Sequence, residues 1–405
     1  MAEPRAIDAL VAEIGSTTTV VSAFEGLAPN SEGPPRLLGQ GVAPTSVLQG
    51  DVGIGVEAAR EAALGAGGVV EYQTAGRLTE ADLLRIDDAD PTLVLLAGGV
   101  EGGDTDTVLF NAARLAELSI RPIVVYAGNS DVKAEVRTFL ENSGFSVRVA
   151  ANVYPGVDEL DILPARSVIH DAFEEHIVHA PGMERISEFV SGRILPTPGA
   201  VLIAAELLAG ELGDLVVVDV GGATTDVHSV TDGSPEMRAI AIDPQPHSKR
   251  TVEGDLGTFV SARHVLALLP EGERPSVLPP AIPHTDDEVA VALLLTRTAA
   301  VTAMHRHAGR LTSLYTPTGR QTVAKGRDLT ACRIVIGTGG ALTRLPGGIG
   351  VLEQTRGREG SDRLLPAPDA VCALDRDYLF ACCGVLAGYF EADAVAALMR
   401  RSTGL

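Results

Sequence analysis

One short pattern occurs twice in this chain, and its repetition constrains the fold more than any other feature. Glu13-Ile14-Gly15-Ser16-Thr17-Thr18-Thr19 and Asp219-Val220-Gly221-Gly222-Ala223-Thr224-Thr225-Asp226 each set a carboxylate at the end of an apolar run, two residues before a turn of Gly, Ser, Ala and Thr. β-Branched and apolar residues on both sides of such a turn read as strand, tight loop and returning strand. Glycine lets backbone N–H groups approach anionic oxygens closely, hydroxyls add donors, and carboxylates hold a hydrated Mg2+. One such turn is an ordinary hairpin. Two of them point to hairpins that face one ligand, a nucleotide polyphosphate.

A third element, Ile334 to Leu342, reads as strand (Arg333 to Ile336), glycine turn (Gly337-Thr338-Gly339-Gly340) and short helix (Ala341 to Leu345), a shape that sets a glycine backbone against an adenine ring. Between the hairpins, Leu93–Ala97, Pro122–Tyr126 and Ser146–Val149 read as strands, and Thr105–Leu118 and Val132–Asn142 as helices, which together make a parallel α/β layer. Further helices are expected over Val52–Leu64, Ala165–Phe189, Pro196 to Gly210, Gly254–Leu269, Asp286–His307 and Arg376–Met399, with Leu215–Val220 and Asp226–Val230 as strands. Gly26 to Pro44 reads as loop with a short edge strand, and Pro270 to Thr285 as an exposed loop.

Composition narrows the partners. Asp plus Glu number 53 against 32 Lys plus Arg, a net charge of −21 that opposes phosphate backbones and anionic membranes. The 45% hydrophobic content supports a sizeable core. No apolar run is expected to reach the roughly 20 residues that span a bilayer, Met1 to Asp8 lacks an apolar signal core, and Cys332, Cys372, Cys382 and Cys383 lack metal spacing, so the expectation is a cytoplasmic protein with no nucleic-acid or membrane partner.

Several other residues have two readings. The loops Gly98 to Asp104 and Gly128 to Asp131 follow strands and open helices, where they either cap and turn the chain or bind a second anion. His170, His176 and His179, like His305 and His307, read as surface histidines ahead of metal ligands, and Cys382-Cys383 as core.

In order, the three glycine elements resemble the signature of the actin, heat-shock chaperone and sugar kinase ATPase superfamily. Pro198-Gly199-Ala200 and the segment from Asp375 through Ala381 to Gly384 resemble its two connecting helices, and Glu253-Gly254-Asp255-Leu256-Gly257 resembles the segment that reaches the ribose, although Asp255 also reads as a helix cap. Within the superfamily, Glu13 to Thr19, Leu95 to Gly99, Tyr126 to Asn129, Pro196 to Pro198, Thr251 to Gly257, Tyr315 to Gly319 and Gly337 to Leu342 resemble the MutL-type accessory proteins of glutamate mutase, which are unrelated to mismatch-repair proteins of similar name.

The resemblance implies an α/β, two-domain actin-like (ribonuclease H-like) ATPase fold with an interdomain nucleotide cleft, its first domain made of residues 1–197 and 371–405 and its second of 198–370. It implies ATP and Mg2+ as ligands, with Glu13 and Asp219 at the metal. Gly15, Ser16, Thr17, Thr18, Thr19, Gly221, Gly222, Ala223, Thr224, Thr225, Glu253, Gly337, Thr338, Gly339 and Gly340 would lie around the nucleotide. The partner it implies is an adenosylcobalamin-dependent mutase, served by a reactivating chaperone that exchanges damaged cofactor, with self-association left open. Two departures bear on slow hydrolysis: Glu13 stands where aspartate is usual, and Thr197 where chaperone-type members carry a water-orienting glutamate. Asp219 and Asp226 are the catalytic candidates; Asp226 reads either as a base or as a strand-end residue, and Glu206 either as a base or as a solvated helix face. Small-molecule kinase, non-catalytic nucleotide-gated scaffold and ATP-dependent ring-opening hydrolase are the other functions open on this fold.

Overall fold

The computed structural model describes residues 8–14, 18–28, 33–44, 74, 76–98, 101–153, 164–165, 168–169, 171–172, 192, 194–316, 319–358 and 360–405. The chain divides into two compact units, residues 1–46 with 190–405, and residues 47–189. The first opens with an antiparallel meander of β1 (Ala9–Ile14), β2 (Thr18–Glu25) and β3 (Arg36–Pro44). The Pro/Gly-rich stretch before Pro44 thus holds a full nine-residue strand, not a short edge.

The second unit is the expected parallel layer. In chain order it comprises α1 (Glu80–Ala89), β4 (Leu93–Leu96), α2 (Asp106–Leu115), β5 (Ile123–Tyr126), α3 (Lys133–Asn142) and β6 (Val147–Val149), with the sheet ordered β4-β5-β6. Thr79 and Asp82 form a capping box that starts α1. Val124 and Tyr126 are buried against Leu115 of α2 and Leu140 of α3. The helix expected over Val52–Leu64 lies outside the described residues, as does most of Ala165–Phe189, whose described positions are helical.

The rest of the first unit contains α4 (Thr197–Leu212), β7 (Leu215–Val220), β8 (Thr225–Val230), β9 (Ser248–Glu253), α5 (Ala262–Ala267), α6 (Asp286–His307), the hairpin of β10 (Arg310–Thr316) and β11 (Gly319–Lys325), β12 (Ile334–Thr338), α7 (Gly340–Thr343), α8 (Gly348–Glu353), β13 (Val371–Leu374), α9 (Phe380–Leu386) and α10 (Ala392–Thr403). Its five-stranded sheet runs β13-β12-β7-β8-β9. The strands β7, β8 and β9 form an antiparallel meander, and β12 and β13 lie parallel to β7. That order and polarity are ribonuclease H-like.

β7 is buried along its whole length and reads as an apolar run interrupted only by Asp219, as suits a strand covered on both faces. Alternation assigns the faces. Leu215 and Val217 join α4, α9, α10, Val11 and Phe24 in one core, whereas Val216, Val218 and Val220 join Leu295 and Met304 of α6 and Leu352 of α8 in the other. α6 is 22 residues long and, by length and composition, apolar enough to cross a membrane, contrary to the sequence expectation. It carries Asp286, Asp287 and Glu288 in its first turn and His305 to His307 in its last, matching the helix dipole, and buries Leu295, Ala299, Ala303 and Met304 in the core.

Two expected helices are shorter than their sequence pattern. Of Gly254–Leu269 only Ala262–Ala267 is helical, because the amides of Thr258, Phe259 and Val260 donate to the carbonyls of Gly221 and Gly222 instead of to a helix. The final helix is split: Asp375 Oδ2 accepts from the amides of Leu379 (2.7 Å) and Phe380 (3.0 Å), which starts α9 there, and α10 begins afresh at Ala392.

α4 and α9 cross with no side chain between them at Gly384. A Cβ built on Gly384 would lie 1.9 Å from the carbonyl oxygen of Ala200. Gly384→Ala should therefore destabilise the fold by about 1–3 kcal/mol through overpacking, more than any helix propensity it gains. Thermal and urea unfolding of the purified variant would measure it, and a wild-type midpoint would refute this reading of the crossing.

Candidate functional site

The two hairpins found in the sequence are equivalent in register. Glu13 pairs with Val20 and Ile14 with Thr19, as Asp219 pairs with Asp226 and Val220 with Thr225, so each carboxylate sits one residue before the last pair, and four residues close each loop. Strand alternation then orients the acids. Glu13 shares its β1 face with Val11, and Asp219 shares its β7 face with Leu215 and Val217, all three of them members of one core. Directly paired residues project to the same face, which sets Asp226 beside Asp219.

A cluster of acids results. Tyr378, in the left-handed region at φ 56°, donates its hydroxyl to Glu13 Oε1 at 2.8 Å. Removal from water, then the charge of Asp219, push the Glu13 carboxyl up to about 8. Burial, then Asp375, push Asp219 up to about 7. Burial, then Asp219, hold Asp226 well above the carboxylate range. Asp375 is raised by burial and opposed by its donors, Ser402 Oγ, the Leu379 and Phe380 amides and Thr338 Oγ1. Among the described residues no Lys or Arg pairs with Glu13 or Asp219, and Asp226 Oδ1 is buried without a hydrogen-bond partner. An unmatched buried carboxylate oxygen is strongly unfavourable unless a cation or a bound water meets it. No group of three or more His, Cys, Asp or Glu is disposed to ligate an ion directly among the described residues. Carboxylate oxygens of this kind suit a hard cation such as Mg2+.

The second turn supplies donors. Gly221 N donates to Thr224 O at 2.9 Å, Thr258 N donates to Gly221 O, and Phe259 N and Val260 N both donate to Gly222 O. A trans peptide points its N–H opposite to its C=O, so fixing these carbonyls aims the Gly222 and Ala223 amides the other way. Those amides and that of Thr224 have no acceptor among the described residues. Only glycine fits at two neighbouring points: a Cβ on Gly257 would lie 2.2 Å from Ala223 O, and one on Gly339, at φ 86°, would lie 2.4 Å from Asp219 Oδ1.

The remaining candidates take varied positions. Gly15, Ser16 and Thr17 lie outside the described residues, as do the side chains of Thr18 and Thr19. Thr225 is buried and donates to Leu256 O at 2.6 Å. Thr224 Oγ1 lies 3.4 Å from Asp226 Oδ2. Gly337 packs where a Cβ would meet Leu352 and Leu374, Thr338 bonds Asp375, and Gly340 opens α7. Glu253 is 3% exposed and bound by Arg306, which also grips Asp255. Thr197 is the first residue of α4, and Glu206 lies on its exposed face.

In the second unit, Asn129 bonds the Gly102 amide and the Gly103 carbonyl, and Glu101 accepts from Ser130 N and Asn152. These βα loops thus close on each other, as capping segments do. His307 is buried, not a surface residue, and is hydrogen-bonded to Thr251 Oγ1 and Ser229 Oγ; His170, His176 and His179 fall outside the described residues. Burial pushes Cys382 up to about 12 and Cys383 well above its ordinary range, so both behave as small apolar groups. The sequence reading singled out neither Tyr378 nor Arg306; the strand-end Asp375, four residues before Leu379, was the available signal for the first.

Strand order, paired hairpins and acid cluster place the molecule in the actin-like, ribonuclease H-like class of ATPase folds. Within that class, the chain belongs to the MutL family: the family profile described as MutL protein matches residues 53–403. Protein MutL of Clostridium tetanomorphum is 37% identical over 311 residues, spanning 71% of this chain and 67% of that protein. Among solved structures, the chain is similar to the ethanolamine utilization protein EutJ from Carboxydothermus hydrogenoformans (11% identity, 95% of this chain and 91% of that one, TM-score 0.27). It is also similar to a chain of the PilM-PilN type IV pilus biogenesis complex (15% identity, 98% and 99%, TM-score 0.29). At such scores the strand order and the family match carry the assignment.

The raised carboxyls give a pH signature. Their folded-state pKa values lie above the ordinary value near 4, so the folded chain holds protons that the unfolded chain has released, and stability falls as pH rises from about 4 through about 8. Unfolding midpoints recorded between pH 5 and 9 should decline, and Asp219→Asn should flatten the decline. A variant with the wild-type slope would show that the cluster is not its source.

Proposed function

We propose that the chain binds ATP with Mg2+ at the acid cluster and the second turn, and serves as a reactivating accessory chaperone of an adenosylcobalamin-dependent mutase, glutamate mutase or a related aminomutase. The observation that supports nucleotide binding is the meeting of unmatched carboxylates with the unpaired amides of Gly222, Ala223 and Thr224. The mutase assignment is supported by membership of the MutL family and by the sequence strings shared with the accessory proteins of glutamate mutase.

In this reading the chain divides at 197/198 and 370/371 into two actin-like halves, and the protein acts in the cytoplasm. The turn amides accept phosphoryl oxygens, as oriented N–H groups do in anion nests. Glu13 and Asp219 hold the metal through water, Glu13 being steadied by Tyr378. A bound Mg2+ supplies charge neutralisation for the phosphates. Asp226, beside Asp219 and lacking a partner for Oδ1, would in its ionised form take a proton from a water whose oxygen bonds to the terminal phosphorus as the bond to the bridging oxygen breaks and ADP leaves. Thr197 favours a second reading, a nucleotide-gated scaffold without turnover, since a hydroxyl replaces the carboxylate that would orient that water.

Calorimetric titration of MgATP into the purified chain should give saturable binding, and Asp219→Ala should weaken it about tenfold or more, the scale of losing a charged contact. Mixed with ATP and a glutamate mutase inactivated by hydroxocobalamin, the chain should restore mutase activity. Binding without turnover and without recovery would select the scaffold reading.

A further inference from the structure

The groups that hold the Gly221–Thr224 turn trace back to one side chain with no part in the proposed function. Arg306 lies in the last turn of α6. Its guanidinium donates from Nη1 to Glu253 Oε2 (2.8 Å) and Asp255 Oδ1 (2.6 Å), and from Nη2 to Asp255 Oδ2 (2.8 Å). A fork on one carboxylate fixes direction as well as distance, and a Lys ammonium cannot reproduce it.

The segment between these acids and the turn has little slack. Ser261 Oγ donates to Gly254 O and Thr225 Oγ1 to Leu256 O, both at 2.6 Å. Gly257 lies against Ala223 so closely that no side chain fits. Thr258, Phe259 and Val260 then donate their amides to the turn's carbonyls. This segment is not helical, so its conformation depends on these outside contacts and not on its own hydrogen-bond ladder.

We propose that Arg306 is a positioning residue for anion binding: by clamping Glu253 and Asp255 it presses the Glu253–Val260 segment onto the Gly221 and Gly222 carbonyls, and so aims the Gly222 and Ala223 amides at the phosphoryl oxygens of a nucleoside triphosphate. Both terminal nitrogens of Arg306 are committed to carboxylates, so the residue acts through the backbone and not by touching the phosphates. The inference rests on the nucleotide reading above and assigns the control of that site to a helix packed on the face of β7 and β8.

The test uses the full chain and two measurements. Hydrogen exchange without ligand should be faster in Arg306→Lys at Gly221, Thr258, Phe259 and Val260, whose amides are the hydrogen-bonded ones, with β7 unchanged, and MgATP titration should show affinity lowered about tenfold or more. Where Arg306→Lys does not fold, Asp255→Asn, which keeps the Glu253 contact, should shift both readings in the same direction. Unchanged exchange at 258–260 overturns the clamp whether or not ATP binds. Faster exchange there with unchanged ATP affinity overturns its functional role. A wild-type chain that binds no ATP overturns the nucleotide reading, and with it the aim toward triphosphate, while the exchange measurement still decides the clamp.

Discussion

The carboxylate of Asp375 ties three elements of the first unit together, β12, α9 and α10. Its two oxygens take hydroxyls from Thr338 at the end of β12 and Ser402 in α10, and the first amides of α9. A buried acid with four donors is satisfied, where the same acid with none would be a heavy penalty. By fixing where α9 begins, it also fixes the turn that lifts Tyr378 into the left-handed region and sends its hydroxyl to Glu13. The first hairpin's carboxylate and the central sheet are thereby joined through one residue at the end of β13.

The neighbouring acids differ from Asp375 in one respect. Glu13 has Tyr378, Asp226 has a distant Thr224 hydroxyl, and burial raises all three. Buried like charges crowded together disfavour their own ionisation, which is the state a bound cation reverses; Arg250 opposes this only in part at Asp226. The glutamate at position 13 fits this arrangement, since its extra methylene lets it reach a phenol presented from the segment after β13. An aspartate there would be one methylene shorter.

Much of this was legible in the sequence, and the reasons differ by element. β7 declares itself because a strand covered on both faces is apolar at nearly every position, Asp219 alone excepted, and the hairpins because two carboxylate-turn patterns share one spacing. α6 was read to the residue from its cap and its ends. The non-helical course of Gly254–Val260 was not legible, since its amides answer to carbonyls more than 30 residues earlier in the chain. The same holds for Arg306, whose partners lie 51 and 53 residues away, and for Tyr378, 365 residues from Glu13. Local pattern reports ladders within an element, whereas side-chain ties across elements leave only a residue type behind. The glycines at 257 and 339 show the same limit: the sequence reading set them in a ribose segment and an adenosine loop, but close backbone at Ala223 and Val220 is what requires them.

The crossing of α4 and α9 at Gly384 and Ala200 has a mechanical meaning. Backbone meets backbone at the point of contact, while Val201 and Ala204 of α4 and Phe380 and Cys383 of α9 share one core around it. Because α9 starts just after Asp375 and α4 leads into β7, this close crossing couples the placement of the carboxylates on either side of it.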